Sequence, residues 1–279
     1  MIKTIILIRP LNVLLGGGAV AITTDILNHS TFDKHTIYIY IVVMFFIGAS
    51  NILNDIFDCN SDKTNHPSRP IPSGMTTKNQ ALFVSVVLFL LGLYCAFNLN
   101  TTSQYISLGI VLPIIILYTP FLKPIPIIGN IAISIVLGFV FIFTEAALTN
   151  KINIMIIPAC LASYLTFIRE MVKDIQDIVG DKKQNINTFP VRYGISLAIL
   201  IIRILLVVLC FIVFIPFILN IYGIQYLFTV FFGVIFPAIY SIVFLKKHPT
   251  PTGSKRISVL LKISTVCGLI SFIFINNSV

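Results

Sequence analysis

Residues 51–74 read NILNDIFDCNSDKTNHPSRPIPSG, and they set Asp55, Asp58 and Asp62 at positions i, i+3 and i+7. On a helix that spacing stacks three carboxylates on one face. Two carboxylates about 6 Å apart repel by roughly 3 kcal/mol at an effective dielectric near 20. A cluster of three therefore calls for bound cations or basic partners. The run just before them, residues 37–48, is apolar and reads as part of a membrane helix. The stretch thus describes a carboxylate cluster at the mouth of a bilayer-embedded bundle, a setting in which ionisable residues mark function.

The composition agrees. Of 279 residues, 57% are hydrophobic and only 10% charged, and the mean hydropathy is +0.99. A soluble domain carries about a quarter charged residues, so the chain reads as an all-α, polytopic membrane protein. The net charge of +9 does not point to nucleic acid, because the basic residues sit in short loops between apolar runs, where they act as topology signals and anion ligands. Five cysteines are scattered singly, four of them inside apolar runs, which excludes a disulfide framework or zinc site from the reading. Cys59, within the acidic motif, reads as a small tolerated residue. The four histidines form no metal-spaced cluster and receive no role.

Taking roughly 20 apolar residues per span, nine spans are expected: 9–27, 37–57, 80–98, 104–122, 127–148, 154–172, 195–219, 221–245 and 257–276. The start of the chain superficially resembles a secretory signal, with Lys3, an apolar run and Ala19-Val20-Ala21. Arg9-Pro10 interrupts it and eight further spans follow, so it reads as the first membrane helix. Of the 19 Lys and Arg residues, only Lys34 and Lys151 fall on one set of loops, leaving 17 on the other side or near span ends facing it. The positive-inside rule then puts the N-terminus and the acidic loops in the cytoplasm and the C-terminus outside. Gly16-Gly17-Gly18 in the first span reads as a close helix contact. Pro67–Pro72 and Pro120–Pro126 read as rigid connectors. The whole of residues 1–279 reads as one integral-membrane domain.

A second stretch repeats the first. REMVKDIQDIVGDKK at 169–183 sets Asp174, Asp177 and Asp181 again at i, i+3 and i+7, with Gly180 a possible helix end just before Asp181. Six of the ten acidic residues thus form two matched triads at one face of the membrane. Mg²⁺ takes oxygen ligands, keeps several waters and bridges carboxylates to phosphate. Two acidic walls with basic neighbours suit Mg²⁺ and a diphosphate. The basic candidates are Lys63, Arg69, Lys123, Arg169, Lys173 and Lys182, through point charges or bidentate grip. Lys182 and Lys183 serve equally as topology signals. Arg9, one turn into a span, calls for a partner, and Asn54 can orient a carboxylate. Arg203 and Lys262 read as snorkelling side chains.

These motifs resemble those of the UbiA-type intramembrane prenyltransferases. NDIFDCNSD at 54–62 matches the N-D-x-x-D-x-x-x-D pattern of that family, and DIQDIVGD at 174–181 is similar to its second aspartate-rich motif. RPLN at 9–12, SRPIPSG at 68–74, LYTPFLK at 117–123 and the Gly129-Asn130 pair also follow its pattern, in order and over most of the chain. The resemblance implies nine helices around a lateral, lipid-accessible cavity, with Mg²⁺ and a prenyl diphosphate held by the two motifs. It implies metal ligation by Asp55, Asp58, Asp62, Asp174, Asp177 and Asp181, with Asp55, Asp58, Asp174 and Asp177 central to catalysis. Substrate contacts are implied for Arg9, Asn12, Asn54, Lys63, Arg69, Tyr118, Lys123, Arg169, Lys173 and Lys182.

The run 169–194 is similar to the archaeal ether-lipid branch of that family. That similarity implies geranylgeranyl diphosphate as donor and a prenylated glyceryl phosphate as acceptor. An aromatic acceptor of the quinone-precursor kind, such as 4-hydroxybenzoate, is the competing expectation. A secondary transporter is a more distant one, because transporter sites sit near the midplane in inverted repeats, whereas both triads here lie at span ends.

Overall fold

The computed structural model describes residues 6–30 and 32–275. Lys3 of the topology count and residue 276 of the last expected span lie outside them. Among the described residues every regular element is helical: α1 (Pro10–Ile26), α2 (Lys34–Phe57), α3 (Cys59–Asn65), α4 (Lys78–Phe97), α5 (Thr101–Leu122), α6 (Ile128–Thr149), α7 (Ile156–Lys183), α8 (Phe189–Tyr193), α9 (Ile195–Ile218), α10 (Ile224–Lys247) and α11 (Pro251–Phe274).

Seven of these, α2, α4, α5, α6, α9, α10 and α11, are long and apolar enough to cross a bilayer. The expected count of nine is therefore not reached on length and composition alone. α1 is apolar but only 17 residues long, under the roughly 20 that a span needs. α7 is 28 residues long, but it joins an apolar first half to a charged second half.

Local chemistry starts these helices. Asp33 caps α2 by accepting from the Thr36 N–H, and Thr77 with Gln80 forms a capping box on α4. At α7 the cap comes from another helix. Buried Glu145 of α6 accepts from the N–H groups of Asn153, Ile154 and Met155, at 2.8–3.1 Å. These N–H groups belong to the turn that leads into α7 and end at its N-cap, Met155.

The helices form one bundle in which α7 packs against α3, α6, α9 and α11, while α2 packs between α1 and α4. The triglycine expectation holds at the α1–α2 contact, since a Cβ on Gly16 would collide with the Ile47 side chain. Outward faces carry large apolar side chains, such as Phe83, Phe97, Phe211 and Ile218, each 65–70% exposed. Apolar surface on that scale is stable against lipid and not against water. The chain is a multi-pass membrane protein. In α5 the turn Tyr118–Leu122 widens to π-helical geometry around Pro120, which has no N–H to donate. The expected rigid connector Pro120–Pro126 is thus helical up to Leu122.

Candidate active site

The first acidic motif does not lie on one continuous helix. Asp58 ends α2 with φ −76° and ψ −2°, and Asp62 belongs to the separate helix α3. The break folds α3 against α7. It turns the motif into a corner rather than a stripe. The second motif is the reverse case. Gly180 does not end its helix, and Asp181 lies inside α7, which runs on to Lys183.

The two motifs are stitched face to face by side chains of α3 and the residue after it. Ser61 donates to Asp181 Oδ1 at 3.2 Å. Asn65 donates to the Asp177 carbonyl at 2.8 Å and accepts from the Gly180 N–H at 3.0 Å. His66 Nε2 stands 2.9 Å from Asp177 Oδ1. The sequence reading gave the histidines no role; His66 is corrected by this contact and by its place in the cavity wall.

Each carboxylate of the first motif has a basic partner. Arg9 pairs with Asp55, Lys123 pairs with Asp58, and Arg69 pairs with Asp62 while reaching Asp55 at 3.6 Å. Asp55, Asp58, Asp62 and Asp181 are buried, so these pairings offset a desolvation cost of several kcal/mol per ion. Asp174 accepts from Asn130 at 2.9 Å.

Backbone geometry positions the partners. Arg9 precedes Pro10 and has φ 53°, a left-handed conformation unusual for a non-glycine residue. It sits at the N-cap of α1 rather than one turn inside a span, which corrects the sequence reading while keeping its ion pair. Ile127 is also left-handed, with φ 69°, a strained state for a β-branched residue that clusters at functional sites. Directly after it, Gly129 lies so close to the Lys123 backbone that an added Cβ would stand 2.9 Å from its Cα. The Gly-Asn pair therefore lets α6 start against the Lys123 turn while Asn130 reaches Asp174.

Beyond the apolar half of α7, burial pushes the Asp181 carboxyl up to about 6, and the neighbouring Asp177 and Asp58 charges add to the effect. Burial likewise raises Asp62, with Asp58 and Asp55 contributing against the pull of Arg69. For Asp177 burial is outweighed by His66, and the carboxyl is held below its usual range. Burial opposes charging of Lys123, yet Asp58 holds its ammonium above the ordinary value.

The donors at this corner are carboxylate oxygens, the ligand type of a hard cation such as Mg²⁺. Among the described residues no group of three or more His, Cys, Asp or Glu side chains is gathered closely enough to hold a metal unaided. Mg²⁺ normally takes one or two carboxylates and completes its shell with water and substrate phosphate, so the donor set fits a cation shared with a diphosphate.

Behind the corner lies a cavity of about 610 Å³, within the roughly 300–1,000 Å³ of small-molecule sites. Arg9, Asn12, Asn54, Arg69, Tyr118, Arg169 and Lys173 line its polar end, and Leu137, Val140, Leu161, Leu209 and Phe272 line its apolar body. Asn54 accepts from Thr119 at 3.3 Å. Lys63 and Lys182 are exposed and outside this lining, so the structure does not bring them to the site.

Two features escaped the sequence reading besides His66. Glu170 is buried and accepts from Arg169 at 2.9 Å and Lys173 at 2.6 Å. Its position between two basic residues on one helix was the available signal. Lys262 does not snorkel to a lipid–water boundary. It turns into the cavity and donates to Asn12 Oδ1 at 2.9 Å. A lysine in the middle of an apolar run was the sign of this.

The profile of the UbiA prenyltransferase family matches residues 13–274. A digeranylgeranylglyceryl phosphate synthase of Methanosphaera stadtmanae is 31% identical over 267 residues, covering 95% of this chain and 96% of that protein. A solved structure of a digeranylgeranylglyceryl phosphate synthase superposes with a TM-score of 0.74 at 30% identity, covering 97% of this chain and 96% of the other. A UbiA homologue from Archaeoglobus fulgidus, bound to GPP and Mg²⁺, has the same fold. Its TM-score is 0.70 at 16% identity, with 97% and 99% of the two chains covered.

Proposed function

Because the chain belongs to the UbiA prenyltransferase family, we propose that it moves a geranylgeranyl group from geranylgeranyl diphosphate to the free hydroxyl of geranylgeranylglyceryl phosphate. Diphosphate is released and the product is a diether lipid precursor of archaeal membranes. The acceptor rests on the relatives that carry the digeranylgeranylglyceryl phosphate synthase name over nearly the whole chain. The chemistry rests on one observation above all: two acidic motifs are joined to each other beside a cavity with an apolar body, and Arg9 and Arg69, the partners of the first motif, line its polar end.

Asp55, Asp58, Asp62, Asp174, Asp177 and Asp181 would hold Mg²⁺. Bound there, the cation supplies charge neutralisation to the leaving diphosphate. The carboxylate–cation pairs are poised for this exchange. With Asp58, Asp62 and Asp55 holding the cation, their present partners Lys123, Arg69 and Arg9 would be available to bind phosphate oxygens. These fixed cations favour C–O cleavage, since they meet charge that grows as the diphosphate departs. Leu137, Val140 and Leu161 hold the isoprenoid and keep water from the allylic centre. Tyr118 and Asn54 border the polar end and orient what lies between the two.

For orientation, the basic loops support a cytoplasmic motif end, with the N-terminus on that side, nine spans including α1 and α7, and the C-terminus outside. Residues 1–279 then act as a single domain. Incubating the purified protein with both substrates tests the reading: diether phosphate must appear with Mg²⁺ and fail to appear with EDTA.

A further inference from the structure

We infer that the acceptor's phosphate is held by helix α11 and Arg169, with Lys262 as its principal ligand. This assignment rests on the proposed acceptor and names where its charged group binds.

The argument begins with charge balance. Six cations line the cavity, Arg9, Arg69, Arg169, Lys173, Lys255 and Lys262, against one lining carboxylate, Glu170. Four of the six are already matched: Arg9 and Arg69 to the first motif, Arg169 and Lys173 to Glu170. Among the described residues Lys255 and Lys262 have no carboxylate within ion-pair distance. The charges that weigh most on Lys262 are the cations Arg169, Arg9 and Lys173, ahead of the acid Glu170. A cation half-buried among cations is costly unless an anion joins them.

Position agrees with charge. Lys255, Ser258 and Lys262 fall at i, i+3 and i+7 on α11 and all three line the cavity. They form one stripe about 10.5 Å long. Across from it, Arg169 uses Nη1 on Glu170, while its Nε is buried with no hydrogen-bond partner among the described residues. An unsatisfied buried donor costs about 1–3 kcal/mol, which an incoming acceptor oxygen relieves. Lys262 rests meanwhile on the neutral Asn12 Oδ1, a contact that an anion readily displaces. The monoester phosphate then binds cations other than Lys123, Arg69 and Arg9, the partners of the first motif that serve the diphosphate.

The test compares two acceptors, geranylgeranylglyceryl phosphate and its dephosphorylated alcohol, in wild type, Lys262→Gln and Lys262→Arg, with folding followed by thermal unfolding in detergent. The wild type must prefer the phosphate form. In Lys262→Gln the ratio of kcat/KM between the two acceptors falls about tenfold or more, the worth of one charge-assisted contact. The acceptor KM carries that loss, the donor KM moves far less, and Lys262→Arg restores most of the preference. A folded Lys262→Gln with an undiminished ratio overturns the assignment while leaving the activity in place. A wild type that makes no diether phosphate overturns the proposed acceptor, and this assignment with it.

Discussion

His66 Nε2 lies 2.9 Å from Asp177 Oδ1 and thereby ties the residue after α3 to the second acidic motif. Together with Asn65, it makes the corner formed by the first motif a rigid partner of α7. His66→Ala removes the contact and leaves Asp177 without the group that lowers its carboxyl. Stability falls by about 1.5–3 kcal/mol, typical for a hydrogen bond to a charged group. The Mg²⁺ concentration for half-maximal rate rises. Thermal unfolding and a Mg²⁺ titration of activity read the two effects separately.

Asp58 and Lys123 form the pair most exposed to mutation. Asp58→Asn removes a proposed metal ligand and leaves a buried ammonium unmatched. Turnover is expected to drop by about two orders of magnitude or more, the scale seen when one electrostatic stabiliser is lost. Lys123→Met, which removes the charge but keeps the stem, is expected to keep the fold and raise the donor KM. Steady-state kinetics against donor concentration check both variants.

Gly129→Ala tests the close approach of α6 to the Lys123 turn. Its Cβ would stand 2.9 Å from Lys123 Cα and 3.0 Å from the Leu122 carbonyl, backbone atoms that cannot rotate away. A destabilisation of about 1–3 kcal/mol follows from overpacking. Activity falls further than stability alone explains, because both Lys123 and Asn130 shift. Comparing unfolding midpoints with kcat in one preparation measures the difference.

Much of this was legible beforehand. The triads, Arg9, Arg69, Lys123 and the bundle could be read from spacing and hydropathy, because apolar runs and i, i+3, i+7 acids are local patterns. The break at Asp58 was not. Its spacing is equally good for a straight helix, and only the packing of α3 on α7 turns the chain there. His66 and Lys262 act through partners distant in sequence, Lys262 reaching Asn12 across 250 positions, so no window of residues reveals those contacts, whereas Glu170 has its partners one and three residues away.

Metal and pH dependence are linked through Asp181. Its folded value of about 6 exceeds the roughly 3.9 of an unfolded aspartate. Between these values the folded chain keeps a proton that the unfolded chain has lost, so this group's contribution to stability declines from about pH 4 to pH 6 in metal-free protein. A bound cation compensates the ionised form and not the protonated one. Mg²⁺ is therefore expected to raise the unfolding temperature clearly at pH 7.5 and little at pH 5, with EDTA reversing the gain. Equal shifts at both pH values would contradict a carboxylate site.

The most direct measurement offers geranylgeranyl diphosphate and Mg²⁺ to the purified protein in detergent, with equal amounts of geranylgeranylglyceryl phosphate and 4-hydroxybenzoate, and resolves products by mass. The account predicts a diether phosphate that disappears with EDTA. A prenylated benzoate in its place would contradict the acceptor, and product formation untouched by EDTA would contradict the metal chemistry assigned to the two aspartate motifs.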